Sequence, residues 1–394
     1  MTNYQRYFLF LRYSLQSEAK EFPDVQELDW QGLYIFSCEQ AIAGVVFEGV
    51  KRLGEQGVKP PFHLLMEWLA TAEQIKNKNK ILNERCVELT SQLEKEGFHS
   101  CILKGQGNAV MYPNPYSRTP GDIDVWILGH TDSTDDTDID VSQKARKAQN
   151  IRTVARKRRG AIIQYAKSID PKAEVRYYHV EFDWDGVPVE LHFMPGIMNN
   201  PVYNGRLQRW YKGHAEITEN AELPDGVGRI PVPTKEFNIV FQLAHMMHHF
   251  FDEGVGLKHM VDYYYLLTRR EEHDDLTEQL KHFNLYAFAG AVMYVMKTTL
   301  AMDDRFLIVP VDEKRGQALL KDIKKGGNFG RNHGLTEHFT GKRFFLKLWR
   351  NMHFVCDYPA ELLCEPVYRT WHFFWRRSKE EVVSSKEEVG SSKE

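Results

Sequence analysis

The apolar positions divide the chain into a helical stretch, an alternating stretch and a second helical stretch. Leu28 to Phe36 and Ala41 to Leu53 are short apolar runs, and a long helix is predicted from about Phe62 to Glu96. Within it Ile75, Leu82, Cys86, Leu89 and Leu93 recur at spacings of seven, four, three and four, which places them on one buried face. Gly97 is the expected C-terminal cap. Just beyond it, Ile102-Leu103 stops at Lys104-Gly105-Gln106-Gly107, where glycine lets the backbone turn sharply and aim N–H groups at a helix start, an arrangement that suits phosphate. After a proline-rich connection, Asp122-Ile123-Asp124-Val125-Trp126-Ile127 reads as a strand. Its period of two puts Asp122 and Asp124 on one face, with Ile123 and Val125 on the other.

Alternation returns from His179 to Phe193 around Asp185-Gly186, a strong signal for a two-residue hairpin. With those two residues as the turn, Trp184 pairs with Val187, Phe182 with Val189 and Val180 with Leu191, giving one apolar face. The opposite face carries His179, Glu181, Asp183, Pro188, Glu190 and His192. Glu181 then opposes Glu190, a like-charge pair that costs stability unless a cation lies over it. From about Pro195 the chain is expected to be helical. Thr234, after Pro231 and Pro233, is an N-cap with Glu236 and Phe237 in the first turn. In that helix His245 and His249 lie one turn apart on one face, as zinc ligands do, and Glu253 continues the face. Met246 stands where a metalloprotease motif has Glu, which favours histidines, His248 among them, that line a cleft or satisfy buried hydrogen bonds. Asp262 is a candidate local hydrogen-bond anchor, and the aromatic-rich region from Phe344 to Trp375 reads as core packing or a dimer contact.

Composition narrows the classes. At 394 residues, 42% hydrophobic and 12% aromatic, the chain is long enough for two or three ordinary globular domains. Fifty-one basic against 54 acidic side chains give a net charge of −3, so any nucleic-acid or membrane partner must use a local patch. Five cysteines without a Cys-x-x-Cys pair suggest neither a disulfide framework nor a zinc knuckle and fit a reducing cytoplasm. No apolar run approaches the ~18 residues that span a bilayer, and the N-terminal apolar segment is too short for a signal peptide. Residues 131–141 hold five aspartates and read as a mobile acidic loop. The basic stretch that follows runs from Lys144 through Arg158 and Arg159 on an expected helix. It is either a solvated face or an electropositive rim for triphosphate or RNA, and it has no interleaved aromatics for base stacking. The seven-residue repeat in 378–394 lacks an apolar seam and is expected to be disordered.

An isolated Asp-x-Asp is most often a solvated strand edge. The glycine turn upstream favours a hard divalent cation between Asp122 and Asp124 instead. Taken together, Leu103-Lys104-Gly105, Tyr112-Pro113, Arg118, Gly121-Asp122-Ile123-Asp124 and Val189-Glu190-Leu191-His192 resemble the uncharacterised nucleotidyltransferases of the DNA-polymerase-β-like superfamily, over roughly residues 60–270. Gln106 stands where the superfamily pattern has Gly or Ser, and the spacing to Asp122 is longer than usual.

The resemblance implies an α+β fold, with a small mixed β-sheet nucleotidyltransferase core flanked by N-terminal helices and a C-terminal helical domain. The boundaries expected are 1–97 for the N-terminal helices, 98–195 for the core with a charged insertion at 129–170, 196–377 for the C-terminal domain and 378–394 for the tail. It implies Asp122, Asp124 and Glu190 as the catalytic carboxylates and ligands of Mg²⁺ or Mn²⁺, with Glu181 in reserve as the third. Nucleotide-phosphate contacts fall to Lys104, Gly105, Gln106 and Arg118. His192 is expected either at phosphate or acceptor or hydrogen-bonded within the sheet. The implied substrate is a nucleoside triphosphate such as ATP and the acceptor a small molecule, a protein or an RNA end. The alternative is a catalytically inactive module of the same fold that binds nucleotide or RNA or regulates a partner. No membrane partner is expected, and the oligomeric state stays open.

Overall fold

The computed structural model describes residues 1–16, 22, 25–128, 156–215, 217–270, 275–333, 341–372 and 374–375. The expected acidic loop 131–141, the basic residues before 156 and the repeat tail lie outside the described residues.

Four helices come first: α1 (Asn3–Leu15), α2 (Trp30–Glu39), α3 (Ala43–Glu55) and α4 (Phe62–Lys95). Four of the five positions predicted for the α4 stripe are in the core, while Ile75 is half-buried and lies outside it. Leu82, Cys86, Leu89 and Leu93 are buried against one face of a five-stranded sheet, with Ile102, Ile123, Val125, Val180, Phe182, Val189 and Leu191 opposite. At its other end α4 buries Leu64 and Trp68 in a second, larger core built by α1–α3 and the C-terminal helices. One continuous helix therefore joins both cores.

The sheet consists of β1 (Ser100–Ile102), β2 (Ile123–Ile127), β3 (Glu174–Val175), β4 (His179–Trp184) and β5 (Val187–His192), ordered β1-β2-β5-β4-β3. β2 and β5 run parallel, with Asp124 beside Glu190 and Trp126 beside His192, while the other pairs are antiparallel. The sheet is thus mixed, as the α+β expectation requires. Between β1 and β2 lies the short helix α5 (Gln106–Ala109). The β4–β5 hairpin has the predicted register, Glu181 opposite Glu190 and Phe182 opposite Val189. Its turn residues Asp185 (φ 50°) and Gly186 (φ 79°) both take the left-handed conformation that matches strand twist.

The crossover from β2 to β5 includes a helix over 156–169, α6, which adds Ile162, Tyr165 and Ala166 to the sheet-side core. Two of its cations serve the fold rather than solvent. Arg158 donates to the carbonyls of Ile127 and Leu128 at the end of β2. Arg159 donates to the carbonyls of Arg176 and Tyr177 at 2.9 Å and stacks over Phe193.

Beyond β5 the chain is not wholly helical as the sequence led us to expect. After α7 (Pro201–Gly213) it forms an antiparallel hairpin, β6 (Thr218–Glu222) with β7 (Arg229–Pro233). β6 has no apolar alternation, and Pro231 and Pro233, which announce the next helix, also occupy β7. Helices resume with α8 (Lys235–Asp252), capped by Thr234, whose hydroxyl accepts the Phe237 N–H at 3.3 Å. Then come α9 (Leu257–Thr268), α10 (Thr277–His282), α11 (Tyr286–Leu300), α12 (Glu313–Gly326), α13 (Gly341–Met352) and α14 (Pro359–Leu362). Among the described residues no helix is long and apolar enough to cross a membrane.

Because Leu89 is fully buried between α4 and the sheet, Leu89→Ala should lower unfolding free energy by about 2–5 kcal/mol. Ile81→Ala, on the solvent side of the same helix, should change it by about 0.5 kcal/mol or less. Urea denaturation of the two variants separates these outcomes.

Candidate active site

The site forms on the sheet face opposite α4, where β2 and β5 lie side by side. Just past the end of β1, the Leu103 N–H donates to the Asp124 carbonyl at 3.0 Å. The chain then turns through Gly105 at φ 65°, ψ −112°, a conformation that glycine adopts without strain. This turn passes close to Asp122, since a Cβ built on Gly105 would sit 3.5 Å from the Asp122 carbonyl oxygen.

The two-residue period of β2 and its parallel register with β5 bring Asp122, Asp124 and Glu190 together. One carboxylate oxygen from each lies within 4.8 Å of the others. Glu181, across from Glu190 on β4, falls outside that group and lies 3.7 Å from Arg176. Burial and the Glu190 charge raise its pKa.

Three carboxylates this close repel unless cations intervene. Lys104 Nζ sits 3.2 Å from Asp124 Oδ1 and donates to His245 Nε2 at 2.8 Å. His192 Nε2 lies 3.2 Å from the same Asp124 oxygen and 3.1 Å from Glu190 Oε2. Burial alone would lower the His192 pKa, but its bonds to the two carboxylates outweigh that and raise it to about 9. Glu190 is lowered for the converse reason, with the His192 hydrogen bond and both imidazoles outweighing burial. His179 is driven down to about 3 by burial, then by the charges of His192, Arg176 and Lys104. Asp124 is 1% exposed, and its second oxygen, Oδ2, has no hydrogen-bond partner.

Two expected phosphate contacts have other partners. The Gln106 side chain is buried and donates to Asn83 Oδ1 on α4. Arg118 makes two 2.8 Å bonds to Asp262 on α9, and Tyr112 donates to the same carboxylate. Asp262 is an anchor, but not the local one expected, since both partners lie far back in the chain. Arg118 Nη1 remains buried without a partner.

Lys258, one turn before Asp262, is a residue sequence reasoning passed over. It is 9% exposed, and its ammonium makes no hydrogen bond or ion pair among the described residues. It faces the segment leading into β2, so that a Cβ on Gly121 would be 3.8 Å from Nζ. Burial and then the Arg118 charge push its pKa down to about 7. Its isolation within an apolar helix pattern gave no signal, and only the fold brings it to the carboxylates.

The α8 histidines gather beside this cleft. His245 contacts Lys104, and the His245 and His249 rings lie 4.3 Å apart. Burial first, then neighbouring cations, hold both well below the usual imidazole range, as suits hydrogen-bond acceptors. Among the described residues the metal-competent groups are Asp122/Asp124/Glu190 and His179/Glu190/His192, and neither draws on α8.

The family of uncharacterised nucleotidyltransferases matches residues 26–301, and the chain belongs to that family. No curated protein matches it. Among solved structures, an antigenic nucleotidyltransferase-like protein from Paracoccidioides brasiliensis is similar at 12% identity and a TM-score of 0.34, over 60% of this chain and 96% of that one.

The buried Arg118–Asp262 pair should dominate acid stability. Burial alone would raise the Asp262 pKa, but the charge and hydrogen bonds of Arg118 lower it from 3.8 to about 2. A depressed pKa means stability that is present above about pH 4 and lost as pH falls toward 2. Thermal unfolding from pH 5 to pH 2 should therefore show a steeper loss in wild type than in Asp262→Asn. At neutral pH that variant should be less stable by about 3–5 kcal/mol, because it leaves Arg118 buried and unpaired.

Proposed function

We propose that the chain is a Mg²⁺-dependent nucleotidyltransferase that moves a nucleoside monophosphate from a nucleoside triphosphate to an acceptor hydroxyl or phosphate. The observation that carries this reading is the cluster of Asp122, Asp124 and Glu190 oxygens within 4.8 Å, with Asp124 Oδ2 buried and unpartnered. An all-oxygen donor set with a vacant carboxylate lone pair fits Mg²⁺ or Mn²⁺, and Asp122, Asp124 and Glu190 would hold the ion. When bound, the cation supplies charge neutralisation to the transferred phosphoryl group and the leaving pyrophosphate.

The remaining work falls to the chain's own groups. Gly105 and its neighbours offer backbone N–H groups to the β- and γ-phosphates. Lys258 and Arg118 Nη1, both without partners among the described residues, bind the negative charge of the same tail. Lys104 balances the carboxylates before nucleotide arrives and then lies close enough to contact phosphate. Glu190 completes the carboxylate set and would help to activate the acceptor hydroxyl. The acceptor is a small molecule, a protein hydroxyl or an RNA end. Five free cysteines suit a reducing, cytoplasmic setting.

Calorimetric titration of ATP, GTP, CTP and UTP with Mg²⁺ tests the reading. Wild type should bind at least one nucleotide only with metal, and Asp122→Ala/Asp124→Ala should abolish binding. Lys258→Met should weaken it about 10-fold or more, the ~1.5–3 kcal/mol of a charge-assisted hydrogen bond. If the folded wild-type protein binds none of the four, the transferase reading fails and the inactive regulatory module takes its place.

A further inference from the structure

The sheet face next to the carboxylate triad carries a second donor set of different chemistry. His179 and His192 are direct cross-strand partners on β4 and β5, which sets their rings 5.2 Å apart. Glu190 lies two residues before His192 on the same face of β5. One donor atom from each of these three residues falls within 4.8 Å of the others. His192 Nε2 is 3.1 Å, and His179 Nδ1 3.7 Å, from Glu190 Oε2. The edge of a tetrahedron with metal–nitrogen bonds of about 2.0–2.1 Å is roughly 3.4 Å, so both separations are close to those of ligands on one small ion.

Hydrogen bonding satisfies His192 Nε2, which donates to Asp124 and Glu190 and would give up that proton on binding an ion, but it does not account for His179. His179 is 6% exposed, yet its Nδ1 has no hydrogen-bond partner and points toward Glu190. A buried polar atom left in that state costs stability, and a ligand that accepts its lone pair removes the cost. Tyr178 closes over the same place, its ring 4.4 Å from that of His179 and 5.8 Å from that of His192.

We propose that His179, His192 and Glu190 form a second metal site, which takes a first-row transition-metal dication of the Zn²⁺ type through two imidazole nitrogens and one carboxylate oxygen. The choice of metal follows from the donors. Two imidazoles favour Zn²⁺ and its neighbours, whereas the all-oxygen triad favours Mg²⁺ or Mn²⁺. Two nitrogens and one carboxylate also leave a coordination position open, as in zinc sites that engage a substrate oxygen. The inference rests on the transferase reading only through Glu190, the ligand the two sites share.

The full chain, stripped with a chelator, is titrated calorimetrically with Zn²⁺ alone, and the zinc-loaded wild type is examined by X-ray absorption. The expected result is one strong Zn²⁺ site with two imidazoles in its coordination shell. His179→Gln should weaken Zn²⁺ binding by at least the ~10-fold that loss of even an outer-shell partner costs, and by more than Asp122→Ala does. Absence of Zn²⁺ binding, a shell of oxygens without imidazole, or equal weakening by the two substitutions overturns the proposal. A two-imidazole shell that persists in His245→Gln/His249→Gln belongs to the strand histidines and one that disappears there overturns the proposal, so the absorption measurement decides even if His179→Gln does not fold. Nucleotide binding without a Zn²⁺ site would overturn this inference alone, and a Zn²⁺ site without nucleotide binding would overturn the transferase reading alone.

Discussion

Carboxylate crowding is the constraint around which the sheet face is built. Parallel pairing of β2 with β5 places Asp124 beside Glu190, and the strand period adds Asp122 to the same face. Such a cluster survives only with positive charge at hand. Lys104 and His192 supply it by converging on one Asp124 oxygen from opposite sides of the sheet order, one from the end of β1 and the other from β5. The second Asp124 oxygen is left open. Two cations set against three carboxylates leave the face with a residual negative charge and an open acceptor atom.

The support for this face comes from both ends of the chain. α4 buries one end against the sheet and the other in the large helical core. The Arg118–Asp262 pair, joined by Tyr112, ties the segment entering β2 to α9. A buried ion pair is weak evidence for net stability, yet removing one partner is costly. Its clearest effect here is positional: it fixes Lys258, a turn earlier on α9, against Gly121.

Much of this was legible in the sequence because it depends on local periodicity. The stripe on α4, the Asp185-Gly186 turn, the cross-strand pairs and the grouping of Glu181 with Glu190 all follow from periods of 3.6 and two. Thr234 declared its helix through capping chemistry. What sequence could not reveal depends on long-range contact. Arg118 has the charge of a phosphate ligand, and only the approach of α9 gives it to Asp262. Gln106 reads as a turn residue until α4 passes beneath it and its side chain meets Asn83. β6 lacks an apolar alternation, and the prolines of β7 mask its Ile230/Val232 alternation by reading as a helix start.

The parallel pairing of β2 and β5 also sets an order of assembly. Asp124 meets Lys104 through the short antiparallel β1–β2 connection, but it meets Glu190 only after the whole crossover, with α6, has been made. Nearby contacts close with less entropy loss than distant ones, and they form earlier. The Lys104–Asp124 contact therefore closes a shorter loop, at less entropy cost, than the Asp124–Glu190 pairing. The third carboxylate is brought in together with His192, two residues further on in the same strand, so the last acidic charge to join the face carries its own counter-charge.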